Sequence, residues 1–252
     1  MPTSISNYWR TAREPRYSIT FALPLLVAYE VLAFSLSGHE YAGVRNGADV
    51  LLKSLFLALG GRNGLIGFGA LLVGAGAWLV WKDSRRSGSI EPFVFTLMAA
   101  ESVGYALAFG LVTGMLTSLL LPGLGMVGFT TGSALSLGNL NLPTQLMISL
   151  GAGIYEELLF RVLLVSGLAW LARTGFGWSR TAAALFAVLS GALIFSAFHY
   201  IGPYGDSFQV ASFTFRAVAG VLFSGLYLLR GFGVTAWTHA LYDVFLAVRV
   251  LG

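Results

Sequence analysis

Ile154-Tyr155-Glu156-Glu157-Leu158-Leu159-Phe160-Arg161-Val162-Leu163-Leu164 sets two adjacent carboxylates and a guanidinium inside a run that is otherwise apolar for about twenty residues. A charge at the centre of a membrane helix costs roughly 2.5–3.5 kcal/mol on insertion scales, so such groups are as a rule paired, turned inward and functional. At 3.6 residues per turn Glu157 and Arg161 share a face, while Glu156 is rotated about 100° from its neighbour. One carboxylate can therefore be tied to the arginine while the other points elsewhere.

The rest of the chain has the composition needed to enclose such a helix. Of 252 residues, 56% are hydrophobic and only 10% charged, against about 25% charged in a soluble domain. The fold class this implies is all-α, a polytopic transmembrane bundle of about seven or eight membrane helices. There is no cysteine, which excludes disulfides, thiol nucleophiles and cysteine metal sites. The net charge of +4 lies mostly in short loops between apolar runs. That placement is a topology signal and gives no support for nucleic-acid binding.

Working outward from the charged stretch, its own span covers 143–171. Upstream, 17–36 reads as a first membrane helix, too long for a signal-peptide core. Residues 48–59 have near-helical apolar spacing and predict a short interfacial or re-entrant helix. Spans follow at 63–81 and 92–121, and the uncharged, Gly-, Ser-, Thr- and Asn-rich stretch 122–142 reads as a loop. Downstream, spans are expected at 180–200, 210–229 and 233–251. The N-terminus, 82–86, 173–180 and Arg230 fall on one side and are basic, whereas 122–142 and 201–209 carry no Lys or Arg. The positive-inside rule puts the basic set, with the N-terminus, in the cytoplasm; Arg45, Lys53 and Arg62 run against it.

Two of the three histidines fall within the expected spans: His199 closes Phe195-Ser-Ala-Phe-His199 and His239 opens His239-Ala-Leu-Tyr-Asp243. His239 and Asp243, four apart, can face one cavity. Three helices thus each offer titratable groups to the interior: Glu156 and Glu157, then His199, then His239 and Asp243. A carboxylate in low dielectric beside a neutral imidazole can take a proton from water. A second imidazole and a further polar group can stabilise the oxyanion formed on an attacked carbonyl. The blander readings are that Glu157 and Arg161 neutralise each other structurally, that Glu30, Glu101 and Arg216 are structural pairs or face water, and that His39, beside Glu40, is solvated. The span limits also set His199 near the outer end of its helix and His239 near the inner end of its own. The two meet only if those helices tilt, break or shift by a few residues.

At these residues the sequence resembles the CPBP family, the CAAX-protease and bacteriocin-processing group of membrane proteases related to the Rce1-type endoprotease. The family pattern, Glu-Glu-x-x-x-Arg, then Phe-x-x-x-His, then His-x-x-x-Asn or Asp, is met in order by Glu156-Glu157-x-x-x-Arg161, Phe195-x-x-x-His199 and His239-x-x-x-Asp243. Phe215-Arg216 resembles a weaker family motif. The resemblance covers about 143–250 and implies a glutamate-dependent, metal-independent intramembrane endopeptidase without a cofactor. In it Glu156 and His199 activate water, His239 and Asp243 stabilise the oxyanion, and Glu157 and Arg161 hold the site together. Val162 stands where a glycine is common, and Asp243 where prenyl-protein peptidases carry asparagine; as an acid, Asp243 serves either protonated or by orienting His239.

The chain divides, on this reading, into 1–142, membrane helices with an interfacial segment, and 143–252, the catalytic helix core, within one integral membrane domain. The expected partners are the bilayer and a membrane-associated peptide or lipidated protein: a prenylated tail, a leader peptide or a C-terminal sorting signal. No eukaryotic-type targeting tail is visible, which points to a prokaryotic cell membrane. Competing chemistries are less complete. A zinc protease would need His-Glu-x-x-His, a rhomboid-type serine site Gly-x-Ser-Gly, and an intramembrane aspartyl site Gly-x-Gly-Asp, where 202–206 read Gly-Pro-Tyr-Gly-Asp. A scaffold or an ion-coupled transporter using the buried charges is the alternative from another class.

Overall fold

The computed structural model describes residues 5–37, 44–87, 90–122, 140–202 and 205–248. Every regular element among them is helical. The short α1 (Ile5–Thr11) leads into α2 (Pro15–Ser35), whose first turn carries a proline. Its fixed φ and missing N–H suit that position. α3 (Gly47–Ser87) is two limbs meeting at Gly60-Gly61, where Gly61 adopts φ 58°. The turn is so tight that a Cβ on Gly64 would lie 1.9 Å from the carbonyl oxygen of Phe56. The first limb is the helix expected over 48–59.

α4 (Pro92–Leu120) follows. Beyond it, α5 (Leu142–Gly151), α6 (Ala152–Val165) and α7 (Ser166–Gly175) form one continuous rod. Asn141 caps the rod, its side chain accepting from the Thr144 N–H, and Ser179 caps α8 (Arg180–Phe198) in the same way through Ala182. α9 (Val210–Arg230) turns at Gly231, with φ 79°, into α10 (Phe232–Ala247). Five described helices are long and apolar enough to cross a membrane. α10, at 16 residues, is about 24 Å long and falls short of a hydrocarbon core of about 30 Å.

Three expectations shift. α8 ends at Phe198 rather than 200, α10 ends at Ala247 rather than 251, and the charged stretch is wound as a π-helix over Ala152–Val165 instead of at 3.6 residues per turn. Most of the loop expected at 122–142, and His39 with Glu40, lie outside the described residues.

Contacts order the helix ends. The Asp83 carboxylate accepts from the Arg16 N–H, the Tyr17 hydroxyl accepts from the Glu91 N–H, and Gly233 N–H donates to Ser18 Oγ. One end of the bundle therefore gathers the starts of α2, α4 and α10 with the end of α3. At the opposite end Ser196 Oγ donates to the Phe213 carbonyl and Tyr200 to Ser212, so α8 and α9 pack antiparallel. The main core cluster, including Leu25, Tyr29, Phe68, Met147 and Tyr155, lies between α2, both limbs of α3 and the α5–α6 rod.

Candidate active site

The site is built where small residues let helices approach. A Cβ on Gly153 would sit 2.4 Å from the Ala236 carbonyl oxygen of α10, and one on Gly151 2.7 Å from the Asn46 Cβ. Glycine at both positions lets α10 and the start of α3 close on the rod where Glu156 and Glu157 project. Both glutamates are buried, Glu157 completely. Extended π winding is rare and tends to occur at functional sites.

Glu157 is held on two sides. Its Oε2 lies 3.2 Å from Arg161 Nε, and its Oε1 accepts from His239 Nδ1 at 2.7 Å. The same-face pairing expected of Glu157 and Arg161 survives the π winding, but the carboxylate also orients an imidazole. Arg161 sits over the rings of Phe195 and Phe223, 4.5 and 5.3 Å from their centroids. These faces supply the negative potential that a buried guanidinium needs. Phe223 in turn stacks on His239 at 4.3 Å, fixing its ring plane.

Glu156 is held on one side only. Its Oε1 accepts from Asn46 Nδ2 at 2.8 Å, and Oε2 has no hydrogen-bond partner among the described residues. Oε2 faces His199 Nε2 at 3.9 Å. The other nitrogen of His199, Nδ1, lies 2.9 Å from the Phe195 carbonyl. A carbonyl only accepts, so Nδ1 carries the proton, and in the neutral ring Nε2 presents a lone pair toward Glu156. Asp243 Oδ2 completes the set 3.7 Å from His239 Nε2.

The structure thus brings Glu156, Glu157, Arg161, His199, His239 and Asp243 to one place. The depth mismatch between the histidines is resolved at His199, which caps α8 and folds back along it to its own preceding turn. Phe195 spans the gap, its ring 4.9 Å from that of His199 and 6.3 Å from that of His239. Arg216 pairs with Asp206, and Glu101 and Glu30 are paired elsewhere. Among the described residues no three His, Asp or Glu side chains form a metal-ion site.

Residues 138–245 match the family model described as type II CAAX prenyl endopeptidase Rce1-like. This segment, less than half of the chain, is similar to that family. The match spans the rod from before α5 through α10 and includes every member of the cluster except Asn46. The family is one of CAAX-type intramembrane proteases, hydrolases of membrane-associated substrates. Neither the curated proteins nor the solved structures yield a match.

Sequence reasoning missed Asn46 and Phe223. Asn46 stands immediately before the helix at 47–59, where a capping residue is expected, but nothing in the order of the chain links it to Glu156, 110 residues later. Phe223 is one phenylalanine among 19.

Proposed function

We propose that the Rce1-like protein hydrolyses a peptide bond of a membrane-associated substrate by glutamate-activated water. The observation that carries this is the unpartnered Oε2 of Glu156 facing the Nε2 lone pair of His199 across 3.9 Å. Two acceptors at that separation lie too far apart to bond directly, and both can receive hydrogens from one bridging water. Glu156 takes a proton as the water oxygen attacks the scissile carbonyl. The new C–O bond leaves an oxyanion, and collapse breaks the C–N bond as Glu156 returns the proton to the leaving amine.

The oxyanion needs a donor, and His239 supplies it. Its Nδ1–H is taken by Glu157, which Arg161 anchors, so an imidazolium keeps a second proton on Nε2 beside Asp243. That proton, or one on the Asp243 carboxyl, points to where negative charge develops. Residues 143–252 carry the chemistry and 1–142 frame it, in a prokaryotic cell membrane with the basic helix ends cytoplasmic. Substrates of this class are prenylated tails, leader peptides and C-terminal sorting signals.

The test is cleavage by detergent-purified protein of a farnesylated CAAX peptide, an unmodified leader peptide and a hydrophobic C-terminal sorting peptide. Glu156→Gln and His199→Ala are each expected to lower turnover by about 10²–10⁴-fold, the usual contribution of a general base, with chelator having no effect. Undiminished cleavage by folded Glu156→Gln, or inhibition by chelator reversed by added zinc, would overturn the mechanism.

A further inference from the structure

The side chain of Asn46 does two things at once. Its Oδ1 accepts the Ala48 N–H at 2.9 Å, capping the first limb of α3, and its Nδ2 donates to Glu156 Oε1 at 2.8 Å. The backbone donor settles the amide orientation: the oxygen must face Ala48, so the NH2 must face the carboxylate. Asn46 is 3% exposed, and both bonds form away from competing water, where each is strongest.

The surroundings hold Asn46 in place from two sides. On its own limb, the fully buried Asp49 receives Tyr29 Oη at 2.7 Å and Arg45 Nη1 at 2.8 Å, and pairs with Lys53 Nζ at 2.7 Å. Across from it, Tyr155, the immediate neighbour of Glu156, donates to Glu30 Oε1 at 2.7 Å, and the same oxygen receives Lys53 at 2.9 Å. This lattice ties the start of α3 to α2 and to the turn of α6 that carries Glu156.

From this geometry we propose that Asn46, which lies outside the family match, is a positioning residue that selects the reacting oxygen of Glu156. By occupying Oε1 it turns the carboxylate plane so that only Oε2 faces His199 and the water between them. The N-terminal half thereby completes the site and does more than enclose it. This inference rests on the reading of Glu156 as the base.

Its test separates the two roles of the amide. Asn46→Ser keeps a capping oxygen of comparable preference, but its shorter side chain does not reach Glu156. Asn46→Ala removes both functions. With the farnesylated CAAX peptide as probe, Asn46→Ser is expected to lower kcat by about 10- to 100-fold, the scale of a misplaced reacting group, with KM within about twofold and an unchanged melting temperature; Asn46→Ala loses melting temperature as well. A second readout needs no substrate. The infrared carboxylate band of Glu156, isolated as the difference between wild type and Glu156→Gln, is expected to shift in Asn46→Ser, or in Asn46→Asp should the serine variant fail to fold. Wild-type kcat in Asn46→Ser, or an unshifted band, would overturn the proposal. Glu156→Gln assayed in parallel keeps the failures apart: if it stays active the mechanism falls, and if it is inactive while Asn46→Ser is not, the Asn46 inference alone falls.

Discussion

Two carboxylates in the bundle, the partly buried Glu101 near the end where α9 stops and the buried Glu156 in the rod, are treated in opposite ways. Glu101 is saturated. Its Oε1 takes Arg230 Nε at 2.6 Å, and its Oε2 takes Arg230 Nη2 at 2.7 Å and the Tyr8 hydroxyl at 2.5 Å. Arg230 also donates to the Trp9 carbonyl and lies over the Trp9 ring, so the cluster pins α1 to α4 and α9. Burial and the bond to Glu101 hold the Tyr8 hydroxyl above the ordinary phenol range, so it stays a donor. Glu156 has one oxygen bonded and one unbonded. A carboxylate whose lone pairs are all engaged can brace helices but cannot accept a further proton without breaking a bond. One left half open in the interior is costly to the fold and available for chemistry.

Glu157 stands between these extremes and offers the largest effect with which to break the comparison. It is completely buried and serves Arg161 and His239 together. Glu157→Gln leaves the guanidinium without its counter-charge, and a loss of about 3–5 kcal/mol is expected for breaking such a pair. Turnover should fall as well, because His239 loses the carboxylate that holds its ring in place. Unfolding in detergent and kcat on the same samples check both; a change in only one would assign Glu157 to one side of the contrast.

Arg230→Met should come next, at about 3 kcal/mol, because it leaves Glu101 without a counter-charge and with tyrosine hydroxyls alone. The difference from Glu156→Gln lies in the readout: the folded Arg230→Met fraction should keep wild-type kcat, whereas Glu156→Gln keeps stability and loses turnover. A fall in kcat per folded molecule would show that the brace reaches the site. The smallest effect is expected from Glu30→Gln. The Glu30 side chain is 39% exposed, and the amide oxygen can still accept from Tyr155. Screening at such a position limits an ion pair to below about 1 kcal/mol, so thermal unfolding should barely move.

Much of the site was legible in the chain because its chemistry is carried by rare residues in an apolar background. Two glutamates, two histidines and an aspartate inside spans, at helical spacing, announce themselves where every charge is expensive. The first limb of α3 was legible too, as a short segment of near-helical apolar spacing. The pairing of Glu157 with Arg161 was legible in their spacing of four. That Glu157 also takes His239 was not, because it depends on where α10 closes against Gly153.

The sequence by itself determined that the chain is an all-helical membrane bundle, where its apolar helices run to within a few residues, and which charged and imidazole groups lie inside the expected spans, since burial free energy and helical periodicity are local properties of composition and order. The tertiary structure decided which oxygen of which carboxylate is left open. That choice rests on a hydrogen bond across 110 residues, on the π winding of the rod, and on His199 folding back at the end of α8. Each is a matter of ångströms between helices whose approach is set by packing, and no spacing along the chain encodes it.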